Sequence, residues 1–302
     1  MPTHVYLTSE EADRQFDKER LRLLTGIGPA DLGGAHAPFE IQGEGPLQRN
    51  LELKLPRLRL DDRVGLSRSL DRLNQQVDAR GLMEGRDAFE QQALEMLLGK
   101  SRTAYDLSTE DPKLIAKYDT SRYQTGIWKD RPSTLGRQLL LARRLCEAGC
   151  GFITIHNAGW DMHGGDTQMN IPVGMERLGR PVDHAVAAFL EDIEQRGLSD
   201  QILLIITGEF GRSPKVGSNG GRDHWPRLST LAFAGGGLRT GQVVGRSNSR
   251  AEEPLGDPAT LDHLFGTVMH VLFDVPALRL QPDLHRGIAS QLDRCRPIVE
   301  LF

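Results

Sequence analysis

Five consecutive aliphatic residues, Ile202 to Ile206, constrain the fold of this chain more than any other feature. A run that short, bounded by Asp200 and Gly208, reads as a buried strand rather than a helix. Gly151-Phe-Ile-Thr-Ile155 reads as a second short strand. Between them Met175, Leu178, Val182, Ala185, Phe189 and Ile193 mark one face of a long amphipathic helix that ends at Gly197. Strand, helix, strand within about 50 residues is the signature of a parallel sheet with covered faces. Leu228 to Ala234 reads as a third strand, closed by Gly235-Gly-Gly237. Ser133-Thr134 would cap a helix carrying Leu135, Leu139, Ala142 and Leu145, and a last helix carries Leu261, Leu264, Val268 and Leu272. The expected class is α/β, with ligands outside the carboxyl ends of the strands.

Texture divides the chain near residue 132. Residues 1–132 read as a polar, loop-rich helical region, and residues 133–302 as the α/β core. In the first part, glycines and prolines mark 26–50 as a loop, and 101–131 carry no clear element. Leu66, Leu70, Leu73 and Val77 predict a helix starting near Asp61-Asp62, and Phe89, Ala93, Met96 and Leu97 predict another. Lys plus Arg number 37 against 41 Asp plus Glu, so no basic bias suits nucleic acid or an anionic membrane surface. No apolar run approaches the roughly 20 residues of a membrane span, and the opening residues hold no signal-peptide core. The chain therefore reads as soluble, without an export signal. Its 3 cysteines have neither disulfide-framework nor zinc-ribbon spacing.

Three polar clusters fall on consecutive connections of the expected sheet. Trp160-Asp-Met-His-Gly-Gly165 follows the first strand, and in extended backbone Asp161 and His163 would share a face. A capping Asp and a surface His would explain the same residues. Thr207-Gly-Glu-Phe-Gly-Arg-Ser-Pro214 follows the strongest strand, offering Glu209 as a carboxylate and Arg212 as an anion partner. A plain Glu-Arg pair on a loop is the alternative. Gly221-Arg-Asp-His-Trp-Pro226 precedes the third strand, with Arg222, Asp223 and His224 side by side; a salt-bridged loop anchored by Trp225 is the alternative there. Asp161, His163, Glu209, Asp223 and His224 form an oxygen/nitrogen ligand set without thiolate, open to zinc, manganese, calcium or iron. His156 and His184 read as structural. No G-x-G-x-x-G follows a strand, which excludes a Rossmann oxidoreductase, and Gly235-Gly-Gly237 lacks the tail of a phosphate loop.

Gly159-Trp-Asp-Met-His-Gly-Gly165, Gly208-Glu-Phe-Gly-Arg-Ser-Pro214, Gly221-Arg-Asp-His-Trp-Pro226 and Ala234-Gly-Gly-Gly-Leu238 stand in the order and spacing of a bacterial family, domain of unknown function 1501. The chain closely resembles that family from about 134 to 275, more loosely from its start. The family is similar to the alkaline phosphatase and sulfatase superfamily, which cleaves phosphate or sulfate esters on a mixed sheet covered by helices on both faces. The resemblance implies a divalent metal, zinc first, with manganese or calcium as alternatives. By position it assigns Asp161, His163 and His224 to one metal and Glu209 to a second; Arg212 and Arg222 are the candidates for holding an anionic ester.

The departure lies at the front. The superfamily's nucleophile and one metal-binding Asp follow the first core strand, and Val5-Tyr-Leu7 is too short for that segment. The chain thus looks like the carboxyl-terminal two-thirds of such a protein, incomplete at its N-terminus, and the expectation is little ester turnover. Ser213 and Thr207 are the nearest substitute hydroxyls. Two functions follow from this reading: a metal-dependent hydrolase of small anionic esters, or a non-catalytic scaffold that keeps the fold and a metal. Neither involves nucleic acid or membrane. Oligomeric state and compartment are left open, although full-length relatives are often exported to the periplasm.

Overall fold

The computed structural model describes residues 2–8, 17–42, 55–56, 58–66, 100–126, 130–165 and 168–302. They form two compact units. The first comprises Met1–Gly159 with Arg177–Phe189, the second Trp160–Glu176 with Leu190–Phe302. Both mix helix and strand.

In the first unit, β1 (His4–Thr8) is the centre of a three-stranded parallel sheet, between β2 (Phe39–Gln42) and β3 (Phe152–His156). The short segment Val5-Tyr-Leu7 is the most buried strand among the described residues, with Val5 and Tyr6 wholly enclosed. Its shortness is offset by partners on both edges, so every backbone group of the strand interior has a ladder to join. Helix α1 (Asp17–Gly26) lies between β1 and β2 in the chain. The supposed loop 26–50 therefore contains β2, preceded by 3₁₀ turns at Ala30–Leu32 and Gly34–His36.

Residues 58–66 are helical, starting a little before Asp61-Asp62. The rest of that predicted helix, and the one built on Phe89 to Leu97, lie outside the described residues. The stretch 101–131 also holds structure: helix α2 (Pro112–Tyr118) is capped by the Asp111 carboxylate, which accepts from Lys113 N at 2.9 Å, and Pro112 opens its first turn. Helix α3 (Leu135–Glu147) buries Leu139, Leu140, Ala142 and Leu145. Thr134 makes no capping bond; Ser133 Oγ instead accepts from Leu135 N at 3.3 Å. Val5, Leu7, Ile41, Ala142 and Leu145 share one apolar cluster, so α3 packs on the sheet.

Arg143, at 1% side-chain exposure, is the largest enclosed side chain of α3. It donates to Glu110 at 2.9 Å and to Glu147, while Arg144 also donates to Glu110. Burial alone would raise the Glu110 carboxyl; the hydrogen bonds and charges of Arg143 and Arg144 outweigh it and hold the group below its ordinary value. His156 stacks on Tyr6, and His184 Nε2 lies 2.8 Å from Lys117 O, so both histidines are packed into the scaffold.

One helical turn at Ile171–Gly174, a π-helical turn at Met175–Gly179 and helix α4 (Arg180–Gln195) follow one another without a break. In the second unit, β4 (Leu203–Ile206) pairs antiparallel with β7 (Ala232–Gly235), and β5 (Gly211–Arg212) pairs antiparallel with β6 (His224–Trp225). The parallel unit expected from the strands at 151–156 and 202–207 is not formed: β3 runs beside β1, and β4 beside β7. An apolar run encodes burial, not the identity of the strand that covers its edge. The third strand also begins later than Leu228, at Ala232.

Helices α5 (Leu261–Leu272), α6 (Val275–Arg279) and α7 (Arg286–Arg294) complete the unit; the last two were not anticipated. Met269, Val275 and Leu292 form one cluster of this part, and Leu238, Ile298 and Leu301 another. Thr267, fully buried, accepts from Ile298 N at 2.9 Å and donates to His263 O, which ties the C-terminal segment to α5. Among the described residues no helix is long and apolar enough to cross a membrane.

Candidate metal centre

Two loops and one short ladder of the second unit build the site. The first loop, described at 160–165 and 168–170, is irregular rather than extended at 160–165. Met162 N bonds Trp160 O, His163 N bonds Asp161 O, and Gly164 N bonds Met169 O, which folds the backbone back on itself. Gly164 and Gly165 both have positive φ, +74° and +96°, so this turn needs residues without a Cβ. Met162 is buried and lies against Gly174, where an added Cβ would come within 2.4 Å of its sulfur. Asp161 and His163 are thereby left beside each other.

The second loop, 213–223, is bonded to the first. Arg222 N donates to Met162 O at 3.0 Å, Ile171 N to Gly220 O at 3.0 Å, and Asn219 Nδ2 to His163 O at 3.1 Å. Gly221 sits where the two backbones meet: a Cβ there would fall 1.7 Å from His163 O. No other residue type fits that approach.

The ladder supplies the remaining groups. Arg212 on β5 is the direct register partner of His224 on β6. Opposite residues of a ladder project to the same face, so both reach one side of the 160–165 loop. Phe210 packs against the His224 ring, with centroids 4.4 Å apart.

These parts converge on Asp161 Oδ1. His163 Nε2 lies 2.8 Å from it, His224 Nε2 3.0 Å, and the two imidazole nitrogens are 2.9 Å apart. Arg212 Nη2 donates to the same oxygen at 2.7 Å, and its Nη1 lies 3.2 Å from His163 Nε2. The other carboxylate oxygen, Oδ2, accepts from Gln168 Nε2 at 3.1 Å. Partial burial would raise the Asp161 carboxyl, but hydrogen bonds from His224 and Arg212, with the charges of His163 and Arg212, hold it below its ordinary value. Asp223 Oδ1 stands 3.5 Å from His163 Nδ1, on the far side of the ring.

Not every expected residue joins. Among the described residues, the group able to hold one ion is Asp161, His163 and His224, whose ligand atoms all lie within 4.8 Å of one another. Glu209 is exposed and outside that group. Arg222 Nε donates to Ser213 O, so this side chain braces the start of the second loop. Ser213 is itself buried, and its Oγ accepts from Lys215 N at 3.1 Å; the Thr207 hydroxyl donates to Gly208 O. Gln168, Asn219, Phe210 and Gly221 were not singled out from the sequence. Only Gly221 had a signal there, as a glycine inside a cluster of charged and aromatic residues.

The three ligand atoms fit a divalent ion chemically: one carboxylate oxygen and two imidazole nitrogens, with no competing thiol. Their separations of 2.8, 2.9 and 3.0 Å are hydrogen-bond distances, and a tetrahedral ion with bonds of roughly 2.0–2.2 Å would spread the donors to about 3.3–3.6 Å. The cysteines take no part. Burial pushes the Cys146 thiol up to about 11, and raises those of Cys150 and Cys295.

The second unit thus defines a mixed α/β protein with an Asp-His-His cluster on loops beside a two-stranded ladder. Residues 1–278 match the model of the family described as a protein of unknown function (DUF1501), and the chain belongs to that family. No curated protein and no solved structure matches it at a significant level.

Proposed function

We propose that Asp161, His163 and His224 bind a divalent cation, zinc first among the candidates, and that the protein acts on small phosphate or sulfate esters in the manner of the alkaline phosphatase and sulfatase superfamily. The convergence of three ligand atoms from two separate motifs within 4.8 Å carries this reading. When bound, a cation would draw charge from the ester oxygens and stabilise it as the ester breaks. The chain's own residues would orient the ester. Arg212 offers a planar fork suited to two anionic oxygens, Gln168 holds the Asp161 carboxylate in place, and Asp223 backs His163. Glu209, exposed and apart from the group, is not assigned a cation here.

A second reading has one observation in its favour. Arg212 already bonds Asp161 Oδ1, so the cluster is charge-compensated as a salt-bridged junction of a scaffold protein. Metal analysis separates the two. Protein equilibrated with zinc or manganese and then desalted should retain about one ion per chain, and Asp161→Ala and His163→Ala should each lower affinity by at least tenfold. Equal ion content in all three proteins would leave the cluster as a junction only. Hydrolysis of p-nitrophenyl phosphate and p-nitrophenyl sulfate by the loaded protein tests the ester assignment.

A further inference from the structure

We infer that Arg212 contests the cation site, and that its release couples cation binding to anion binding. The inference rests on the cation reading above. The Arg212 guanidinium makes four contacts: Nη2 with Asp161 Oδ1 at 2.7 Å and Trp160 O at 3.0 Å, and Nη1 with His163 Nε2 and Arg222 O, both at 3.2 Å. Two of those four partners, Asp161 Oδ1 and His163 Nε2, belong to residues of the candidate site. A lone pair that accepts an N–H is not free to bind an ion: His163 Nε2 has a single one, and Asp161 Oδ1 is already met by His163, His224 and Arg212. The guanidinium cannot give way by losing its proton, since arginine stays charged throughout the working pH range. It gives way only by moving.

What it leaves and what it keeps differ in kind. An ion seated on Asp161, His163 and His224 takes away the carboxylate that balances Arg212. The remaining partners, Trp160 O and Arg222 O, are neutral carbonyls. A guanidinium stripped of its carboxylate is a receptor for an oxyanion, because its fork matches two oxygens of a sulfate or phosphate group. The anion in turn holds Arg212 away from Asp161 and removes the competitor for the cation. Each ligand therefore favours the other, and thermodynamic linkage makes the effect mutual. The position of Arg212 opposite His224 on a two-residue ladder suits this exchange: the backbone is anchored by Gly211 N to Leu228 O at 2.7 Å and Ser213 N to Asp223 O at 2.8 Å, while the side chain rotates. Arg212 is thus a positioning and gating residue whose anion contact and ligand contact exclude each other.

Calorimetric titration of the purified full chain with manganese tests the exchange. Wild type, Arg212→Gln, Arg212→Lys and Asp161→Ala are each measured in chloride and in sulfate, at matched ionic strength and matched free manganese. Wild type should bind manganese roughly tenfold more tightly in sulfate than in chloride. The size follows from a charge-assisted hydrogen bond discounted for the partial exposure of Asp161. Arg212→Gln should bind roughly tenfold more tightly than wild type in chloride and show no sulfate effect. Arg212→Lys keeps the charge without the fork, and should show a reduced sulfate effect. If Asp161→Ala abolishes binding while wild type and Arg212→Gln have equal affinity, or Arg212→Gln binds more weakly, the exchange is wrong and the cation site stands. If neither wild type nor Arg212→Gln binds manganese, both readings fall. Binding by Arg212→Gln alone would support the exchange in its strongest form. Far-UV circular dichroism checks that the variant folds; if it does not, equal wild-type affinity in the two salts is enough to overturn the proposal.

Discussion

Gly221→Ala should damage the candidate site although residue 221 offers no ligand. The added Cβ would lie 1.7 Å from His163 O, 2.1 Å from its carbonyl carbon and 2.7 Å from Gly164 N. All three are backbone atoms, so no side-chain rotation relieves the clash. Ordinary contact begins near 3.4 Å, and the two loops must part by about 1.7 Å. Arg222 N to Met162 O and Asn219 Nδ2 to His163 O hold this seam, and such a displacement breaks both. Overpacking with two lost hydrogen bonds costs about 2–4 kcal/mol. His163 and His224 lie on opposite sides of the seam, so their 2.9 Å separation would widen, and manganese or zinc affinity should fall by roughly 10–100-fold. Gly208→Ala is the matched control, since a Cβ at Gly208 meets nothing within 4 Å. It should change stability by no more than about 0.5 kcal/mol and leave ion affinity intact. Urea denaturation followed by circular dichroism, with calorimetric ion titration, reads both quantities. Wild-type stability and affinity in Gly221→Ala would refute the contact between the two loops.

Two further outcomes follow from other parts of the molecule. Glu110 has its carboxyl lowered in the folded protein from an ordinary 4.5, so its stabilising contribution is complete above that value and is lost as pH falls through the lower folded one. Glu110→Gln should cost about 3 kcal/mol at pH 7, because it removes a carboxylate partner of the buried Arg143, and should flatten the acid side of the stability profile; an unchanged urea midpoint at pH 7 would contradict this. Gln168→Leu removes the donor to Asp161 Oδ2 and should weaken ion binding up to about tenfold with little effect on the melting temperature; equal affinity would show that Asp161 is oriented by Arg212 and the histidines alone.

The elements legible in the sequence were those set by local pattern. Leu135 to Leu145 repeats at helical spacing, and Leu203–Ile206 is apolar throughout, so helix α3 and strand β4 follow from periodicity and run length. Helix α2 escaped notice although Asp111-Pro112 is a recognisable start, because its 7 residues are too few to show a period. Asp161, His163 and His224 could be named as candidates because their residue types carry metal chemistry wherever they stand.

Their meeting, and the absence of Glu209 from it, were decided by tertiary contacts. Strand pairing joins residues far apart in the chain: β1 lies between β2 and β3, and β4 turns to β7 rather than to a parallel neighbour. Hydrophobic pattern records how deeply a residue is buried but carries no address for the strand or loop that buries it. The same limit hid the partner of Arg212. In sequence Arg212 is a basic residue near a carboxylate, Glu209, three positions away; in space its guanidinium is given to Asp161, because a two-residue ladder sets it opposite His224. Residue identity determined which groups could bind an ion or an anion. Only the fold, through loop-to-loop hydrogen bonds and the close approach at Gly221, determined which of them share one point in space.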